Sequence, residues 1–133
     1  MTDGLLLITH GNLGQEMLDT VTEILRNCPL QARAISVSSS CDPETVYAQT
    51  ARACSELDQG GGILVLTDLY GSTPSNIANR LTETHRVAVI SGANIPMLLR
   101  VLNYPDMVLE QLCAKAASGA CEGVIVTPRK ADA

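Results

Sequence analysis

Gly4 to Thr9, Gly-Leu-Leu-Leu-Ile-Thr, is a near-continuous apolar run, the pattern of a short strand buried on both faces. It ends at a turn cluster, His10-Gly11-Asn12. From Leu13 to Leu25 the apolar positions Leu13, Met17, Leu18, Val21, Ile24 and Leu25 fall on one face of a helix, with polar residues opposite. Asn27-Cys28-Pro29 stops that helix, because proline cannot continue one. Ala32 to Val37 alternates and predicts a second, less buried strand. Asp42-Pro43-Glu44 reads as a helix start, with a cap, a proline and an acid that suits the dipole; the helix runs to about Leu57.

Ile63 to Leu66, between Gly60-Gly61-Gly62 and Gly71, is a third buried strand that ends in Thr67-Asp68. A Gly-Ser-Thr-Pro turn follows, in which Thr73 suits the N-cap and Pro74 the first helical position. Arg86 to Ser91 predicts a fourth strand, Gly92 to Pro96 a turn into a helix reaching about Asn103, and Met107 to Ser118 a last helix capped by Gly119. Gly123 to Thr127 predicts one more short strand, and 128–133 a flexible polar tail. Regular alternation of this kind, with short linkers, implies right-handed crossovers. The expected fold is a single α/β domain over 1–133: a doubly wound, mostly parallel sheet of four strands plus a C-terminal edge strand, with helices on both faces.

Composition narrows the function. The 133 residues are 46% hydrophobic, with three Tyr and neither Phe nor Trp, and the net charge is −5. Few aromatics disfavour base stacking, and net acidity disfavours binding along a phosphate backbone, so no nucleic-acid partner is expected. The same acidity suits a basic protein partner. No apolar run approaches the roughly 20 residues of a membrane span, and no basic leader opens the chain, so a cytoplasmic location without membrane insertion is expected. Five cysteines, odd in number and without a C-x-x-C pair, favour neither a disulfide scaffold nor zinc. They read as small thiols in or near the core.

In doubly wound sheets, ligands sit outside the carboxyl ends of the strands, where the winding direction switches. His10 follows the first strand and Asp68 ends the third, so a strand order of 2-1-3-4 would make them neighbours. Other occupants of such a site fit poorly. Gly11-Asn12-Leu13-Gly14 is not a dinucleotide fingerprint, no Gly-Lys-Ser/Thr triplet offers a P-loop, and Thr9-His10 stand where a receiver domain carries its acids. Taken singly, His10 is explained by a loop, Asp68 by a turn and Thr73-Pro74 by a helix start. Together they describe an imidazole, an acceptor for one of its nitrogens and a set of N–H groups for an anion. Neutral imidazole is a nucleophile towards phosphorus near pH 7, and phosphoryl transfer from another histidine needs no metal or cofactor. His85, in a polar loop, is read as a surface residue.

Three ordered stretches carry a family resemblance: Leu7 to Gly11 (Leu-Ile-Thr-His-Gly), Thr67 to Asn76 (Thr-Asp-Leu-Tyr-Gly-Ser-Thr-Pro-Ser-Asn) and Gly92 to Leu98 (Gly-Ala-Asn-Ile-Pro-Met-Leu). The chain resembles, over nearly its whole length, the IIA component of the mannose-family sugar phosphotransferase system. That resemblance implies a phosphohistidine phosphotransferase that takes a phosphoryl group from HPr on His10 and passes it to a IIB component. It implies Asp68 as the hydrogen-bonding partner of His10, and Gly71, Ser72 and Thr73 around the phosphoryl group. Protein donors must reach His10, so Leu13, Met17, Leu69 and Tyr70 are the expected apolar rim. The resemblance further implies a homodimer in which the Gly123 to Thr127 strand crosses to the partner subunit.

Family members often carry a fused IIB domain behind a linker; here six residues follow Thr127, so a separate IIB protein is expected. Ser72 stands where the family often has glycine. A second reading is a standalone regulatory phosphoprotein whose His10 phosphorylation controls binding to a signalling partner. A phosphoryl donor to a dihydroxyacetone kinase and a small-molecule hydrolase using His10 and Asp68 are further alternatives.

Overall fold

The computed structural model describes residues 1–131. Nine elements follow in order: β1 (Gly4–His10), α1 (Leu13–Leu25), β2 (Gln31–Val37), α2 (Pro43–Leu57), β3 (Ile63–Thr67), α3 (Thr73–Leu81), β4 (Val87–Ser91), α4 (Ile95–Leu102) and α5 (Leu109–Glu122). The four strands form one sheet in the order β2-β1-β3-β4, every pairing parallel. The expected doubly wound architecture and its 2-1-3-4 order therefore hold.

Alternation along β1 and β3 decides which helices cover which face, because successive side chains point to opposite sides of a sheet. Leu5, Leu7, Leu64 and Leu66 pack with Met17, Leu18 and Val21 of α1, with Met97, Leu98 and Val101 of α4, and with Leu112 and Ala116 of α5. Leu6, Ile8, Ile63 and Val65 pack with Val46, Ala53, Cys54 and Leu57 of α2 and with Ile77, Ala78 and Leu81 of α3. Both central strands are thus sealed on both faces, which explains their unbroken apolar sequences. Each such Leu or Ile side chain contributes about 1.5–3 kcal/mol on burial.

Two boundaries differ from the expected ones. Thr73 is the first residue of α3 rather than its cap, and Ser72 holds the N-cap position. The last helix does not stop at Gly119 but runs on to Glu122, with Gly123 as its cap. Gly119 serves as a contact point: a Cβ there would lie 2.6 Å from the Arg100 Cβ, so only glycine lets α5 lie this close to α4. Arg100 then bonds Glu122 (2.7 Å) and Ser118 (3.3 Å) across the same contact.

The predicted strand at Gly123 to Thr127 does not form. Gly123 caps α5, and residues 124–131 have no regular structure. Val124, Ile125 and Val126 are 70–83% exposed. Their β-branched sequence is strand-like, but a strand exists only when a neighbouring ladder accepts its hydrogen bonds. The last two residues of the expected tail, 132 and 133, lie outside the described residues. Of the five cysteines only Cys54 is fully buried, where burial and the nearby Asp58 push its thiol up to about 11. Cys41 and Cys113 are half-buried, and Cys28 and Cys121 are exposed, so the core reading of the cysteines holds for only part of the set.

Gly119→Ala sets a gain in helix propensity of about 1 kcal/mol against overpacking of about 1–3 kcal/mol. The Arg100 Cβ is fixed to the α4 backbone and cannot swing away, so overpacking wins. The variant's midpoint in urea denaturation falls; an unchanged or higher midpoint would show that the helices part without cost.

Candidate functional site

The parallel register sets Ile8 beside Thr67, so Asp68 follows directly beyond the paired end of β3 and His10 lies two residues beyond that of β1. One carboxylate oxygen serves both ends of His10. Asp68 Oδ2 accepts the His10 amide N–H at 3.1 Å and lies 2.8 Å from Nδ1 of the ring. The other oxygen, Oδ1, accepts the Leu69 amide at 3.1 Å. Partial burial works to raise the Asp68 pKa, but the hydrogen bonds from the His10 ring and amide overcome it and hold the carboxyl below its ordinary 3.8. An ionised carboxylate is acceptor-only, so the proton of the pair sits on Nδ1. In the neutral ring Nε2 then keeps its lone pair. Asp68 is 13% exposed at its side chain while His10 is 54% exposed, so the anchor is sheltered and the reactive edge is open.

A buried hydroxyl stitches the turn that carries His10. Thr9 Oγ1, fully buried, accepts the Gly14 amide at 2.8 Å and reaches the His10 carbonyl at 3.4 Å. Gly14 presses onto it: a Cβ there would meet the Leu7 Cβ and the Thr9 Oγ1, both at 3.1 Å. Strand alternation puts Thr9 on the α1 face and His10 on the α2/α3 face, together with Leu6 and Ile8.

On that second face lies a cavity of about 410 Å³, walled by His10, Ser38, Ser39, Cys41, Pro43 and Thr73. Thr73, at the open end of α3, thus lines the same cavity as His10. The Asn76 amide closes the first helical bond on the Ser72 carbonyl, so the amides of Thr73 and Ser75 precede it; N–H groups in such positions favour anions. Gly71 and Ser72 contribute differently. Gly71 takes φ +83°, a left-handed conformation suited to glycine, and donates its amide to the Ser75 hydroxyl at 3.3 Å. The Ser72 hydroxyl donates to the Leu69 carbonyl. Both residues build the turn, and neither lines the cavity beside His10.

The expected rim divides. Leu69 (62% exposed), Tyr70 (78%) and Leu13 (46%) are surface residues adjacent in sequence to Asp68 and His10. Met17 is 7% exposed and belongs to the core between α1 and the sheet, so it forms no part of a docking rim. Position i+4 from Leu13 faces the same side of a helix, but one turn further on that side is covered by the sheet. His85 precedes β4 and lies at the other end of the sheet, with the Thr84 hydroxyl 2.8 Å from Nδ1 and the Ser55 hydroxyl 3.4 Å from Nε2. The motif reading missed the wall formed by Ser38, Ser39, Cys41 and Pro43. The signal was present: these residues follow the second strand, and His10 shares the face on which the helix from Pro43 must cross.

A parallel α/β sheet with a His–Asp pair at its switch point defines a class of sites suited to holding and passing an anionic group. Comparison with known proteins then gives the family: the model described as "PTS system fructose IIA component" matches residues 4–118, and the chain belongs to that family of sugar phosphotransferase IIA components. YadI of Escherichia coli K12, named as a phosphotransferase enzyme IIA component, is 30% identical over 100 residues, covering 74% of this chain and 68% of that one. The mannose-specific EIIAB component of the same organism is 31% identical over 127 residues, or 93% of this chain but 39% of its own length. Among solved structures, the mannose/sorbose-specific IIA subunit from Enterococcus faecalis superposes with a TM-score of 0.85 at 25% identity, covering 97% of both chains. No helix of the described residues is long and apolar enough to cross a membrane.

Thr9→Val keeps the shape of the side chain but strands the Gly14 amide, at a cost of about 1–3 kcal/mol. Thermal denaturation will show Thr9→Val well below wild type, and Thr9→Ser, which keeps the hydroxyl, between the two. Equal stability of the Val and Ser variants would remove the hydrogen bond from the account of the turn.

Proposed function

We propose that the chain is a cytoplasmic phosphoryl carrier: His10 accepts a phosphoryl group from phosphorylated HPr and passes it to a IIB component. The observation that carries this reading is the 2.8 Å contact between Nδ1 and the sheltered Asp68 carboxylate, on a ring that is more than half exposed. In the forward step the Nε2 lone pair attacks phosphorus. The P–N bond to the donor imidazole breaks in line, and its electron pair returns to the donor nitrogen. His10 is left as an Nε2-phosphorylated imidazolium whose positive charge lies against Asp68. Transfer to IIB repeats the exchange with His10 as the leaving group. Positioning and fixed dipoles supply the catalysis, and no metal or cofactor is needed.

Exposure of His10 suits a protein donor, because a second imidazole must approach to bonding distance. Leu13, Leu69 and Tyr70 offer an apolar rim, and the net charge of −5 complements a basic face on HPr. The reading includes a homodimer. The outer edge of β4 pairs with no strand of the described residues, and the exposed Val124-Ile125-Val126 segment has the composition to add a strand to the partner's edge.

Incubation with phosphoenolpyruvate, enzyme I and HPr labels wild type at His10 with acid-labile, base-stable phosphate. His10→Ala takes up none; label retained on that variant would overturn the assignment. Asp68→Ala keeps its fold but transfers more slowly, by between about 10-fold and 10⁴-fold, the range found when the group orienting a reactive imidazole is removed. A chain ending at Gly123 sediments as a monomer where the full chain is a dimer; identical sedimentation of the two would exclude the tail from the interface.

A further inference from the structure

The cavity beside His10 has one wall that the functional reading leaves unused, the loop between β2 and α2. We propose that Ser38 and Ser39 are the side-chain ligands of the phosphoryl oxygens on His10, opposite the open end of α3 at Thr73. The proposal rests on the phosphoryl-carrier reading and assigns the pocket in which the transferred group sits.

Four observations lead to it. Ser38, Ser39, Thr73 and His10 line the same cavity of about 410 Å³, many times the roughly 30 Å³ share of a water molecule. Strand alternation directs His10 to the α2/α3 face, on which this loop lies, while Asp68 fixes Nδ1; Nε2 is the nitrogen left for a substituent in the cavity. The serine expected for this task, Ser72, has already given its hydroxyl proton to the Leu69 carbonyl. The loop hydroxyls are less committed. Ser39 makes no side-chain hydrogen bond among the described residues, and Ser38 only meets Ser40 at 3.4 Å. The Cys41 amide closes the turn onto the Ser38 carbonyl at 3.2 Å, and Val37, 3% exposed, anchors it to the sheet. The hydroxyls therefore sit on a fixed turn and rotate freely to donate.

The chemistry suits a relay. Among the described residues, no lysine or arginine lines the cavity. Charge-assisted bonds from a guanidinium are about twice as strong as neutral ones and would hold the phosphoryl group against onward transfer. Two hydroxyls and the first amides of α3 offset its charge while leaving it free to depart. Because these donors meet the phosphoryl oxygens and not the donor protein, their loss lowers the maximal transfer rate rather than the affinity for HPr.

The test compares wild type, Ser38→Ala/Ser39→Ala and Ser38→Thr/Ser39→Thr, with His10→Ala as the control for the underlying reading. Each is labelled from phosphoenolpyruvate through enzyme I over a range of HPr concentrations, and the ³¹P shift of the phosphohistidine is recorded. The Ala/Ala variant is expected to lose roughly 10- to 100-fold in maximal rate with little change in KM for HPr, and to shift the ³¹P resonance. The Thr/Thr variant, which keeps both hydroxyls, stays near wild type. Wild-type rate and an unmoved ³¹P resonance in Ala/Ala overturn the proposal while leaving His10 as the carrier. A loss confined to KM also overturns it, because the loop would then touch HPr and not the phosphoryl group. Wild type left unlabelled, or labelled equally with His10→Ala, overturns the carrier reading itself. Circular dichroism of Ala/Ala, together with an unchanged ¹⁵N signature of the His10 Nδ1–H, separates loss of the ligands from loss of the fold.

Discussion

The pairing of β1 with β3 is the constraint from which the site follows. Two parallel neighbours lie about 4.8 Å apart, so residues that finish adjacent strands meet whatever their separation in sequence. Here the register sets Ile8 beside Thr67, and a single oxygen of Asp68 ties down both the amide and the ring of His10. Gripping the backbone and the imidazole together removes rotational freedom from the His10 side chain. The chain needs no further group to choose the tautomer. A slip of one residue in this register would move Asp68 by a full strand position and turn the alternating core residues to the wrong faces.

The two ends of the sheet are built differently. At the amino ends of the strands, Asp3 Oδ2 accepts the amides of Gln59 and Gly61, and Asp58 Oδ1 accepts those of Gly60 and Gly62. That loop is closed on itself. A Cβ at Gly62 would come within 2.9 Å of the Arg86 carbonyl, which accounts for the last glycine of the triplet. At the carboxyl ends, by contrast, helix α3 begins with unused amides, and the cavity beside His10 stays open. Backbone donors are consumed in the loop at the amino ends and left available at the start of α3. The depressed pKa of Asp68 belongs to the same arrangement. Its contribution to the pair is full above about pH 4 and fades only as the carboxylate protonates at lower pH.

Family membership and geometry support each other without being the same argument. The match over residues 4–118 supplies the setting, a IIA component of a sugar phosphotransferase system. The chain spans 39% of the mannose-specific EIIAB component, so the activity of that whole protein is not transferred with the likeness. What the geometry adds is local: which nitrogen is free, which hydroxyls are engaged in turns and which remain available. Ser72 illustrates the difference, since its place in the motif marks it for the phosphoryl group while its hydrogen bond assigns it to the Leu69 turn.

The sequence alone determined whatever depends on neighbours along the chain. The limits of α1 and α2, the buried character of β1 and β3, and the placing of His10 and Asp68 at strand ends could all be read from apolar period, prolines and glycines. Alternation of strands and helices also determined the winding, because right-handed crossovers leave few other arrangements. Only the tertiary structure decided matters set by contact between distant segments. Met17 is buried because the sheet reaches that turn of α1, α5 passes Gly119 because α4 lies against it, and Val124 to Val126 are exposed in the single chain because none of its own described strands pairs with them. Ser38 and Ser39 came to stand beside His10 in the same way. Local pattern records what a residue prefers; which partner it finds depends on crossover, register and helix approach, and these are properties of the whole folded chain.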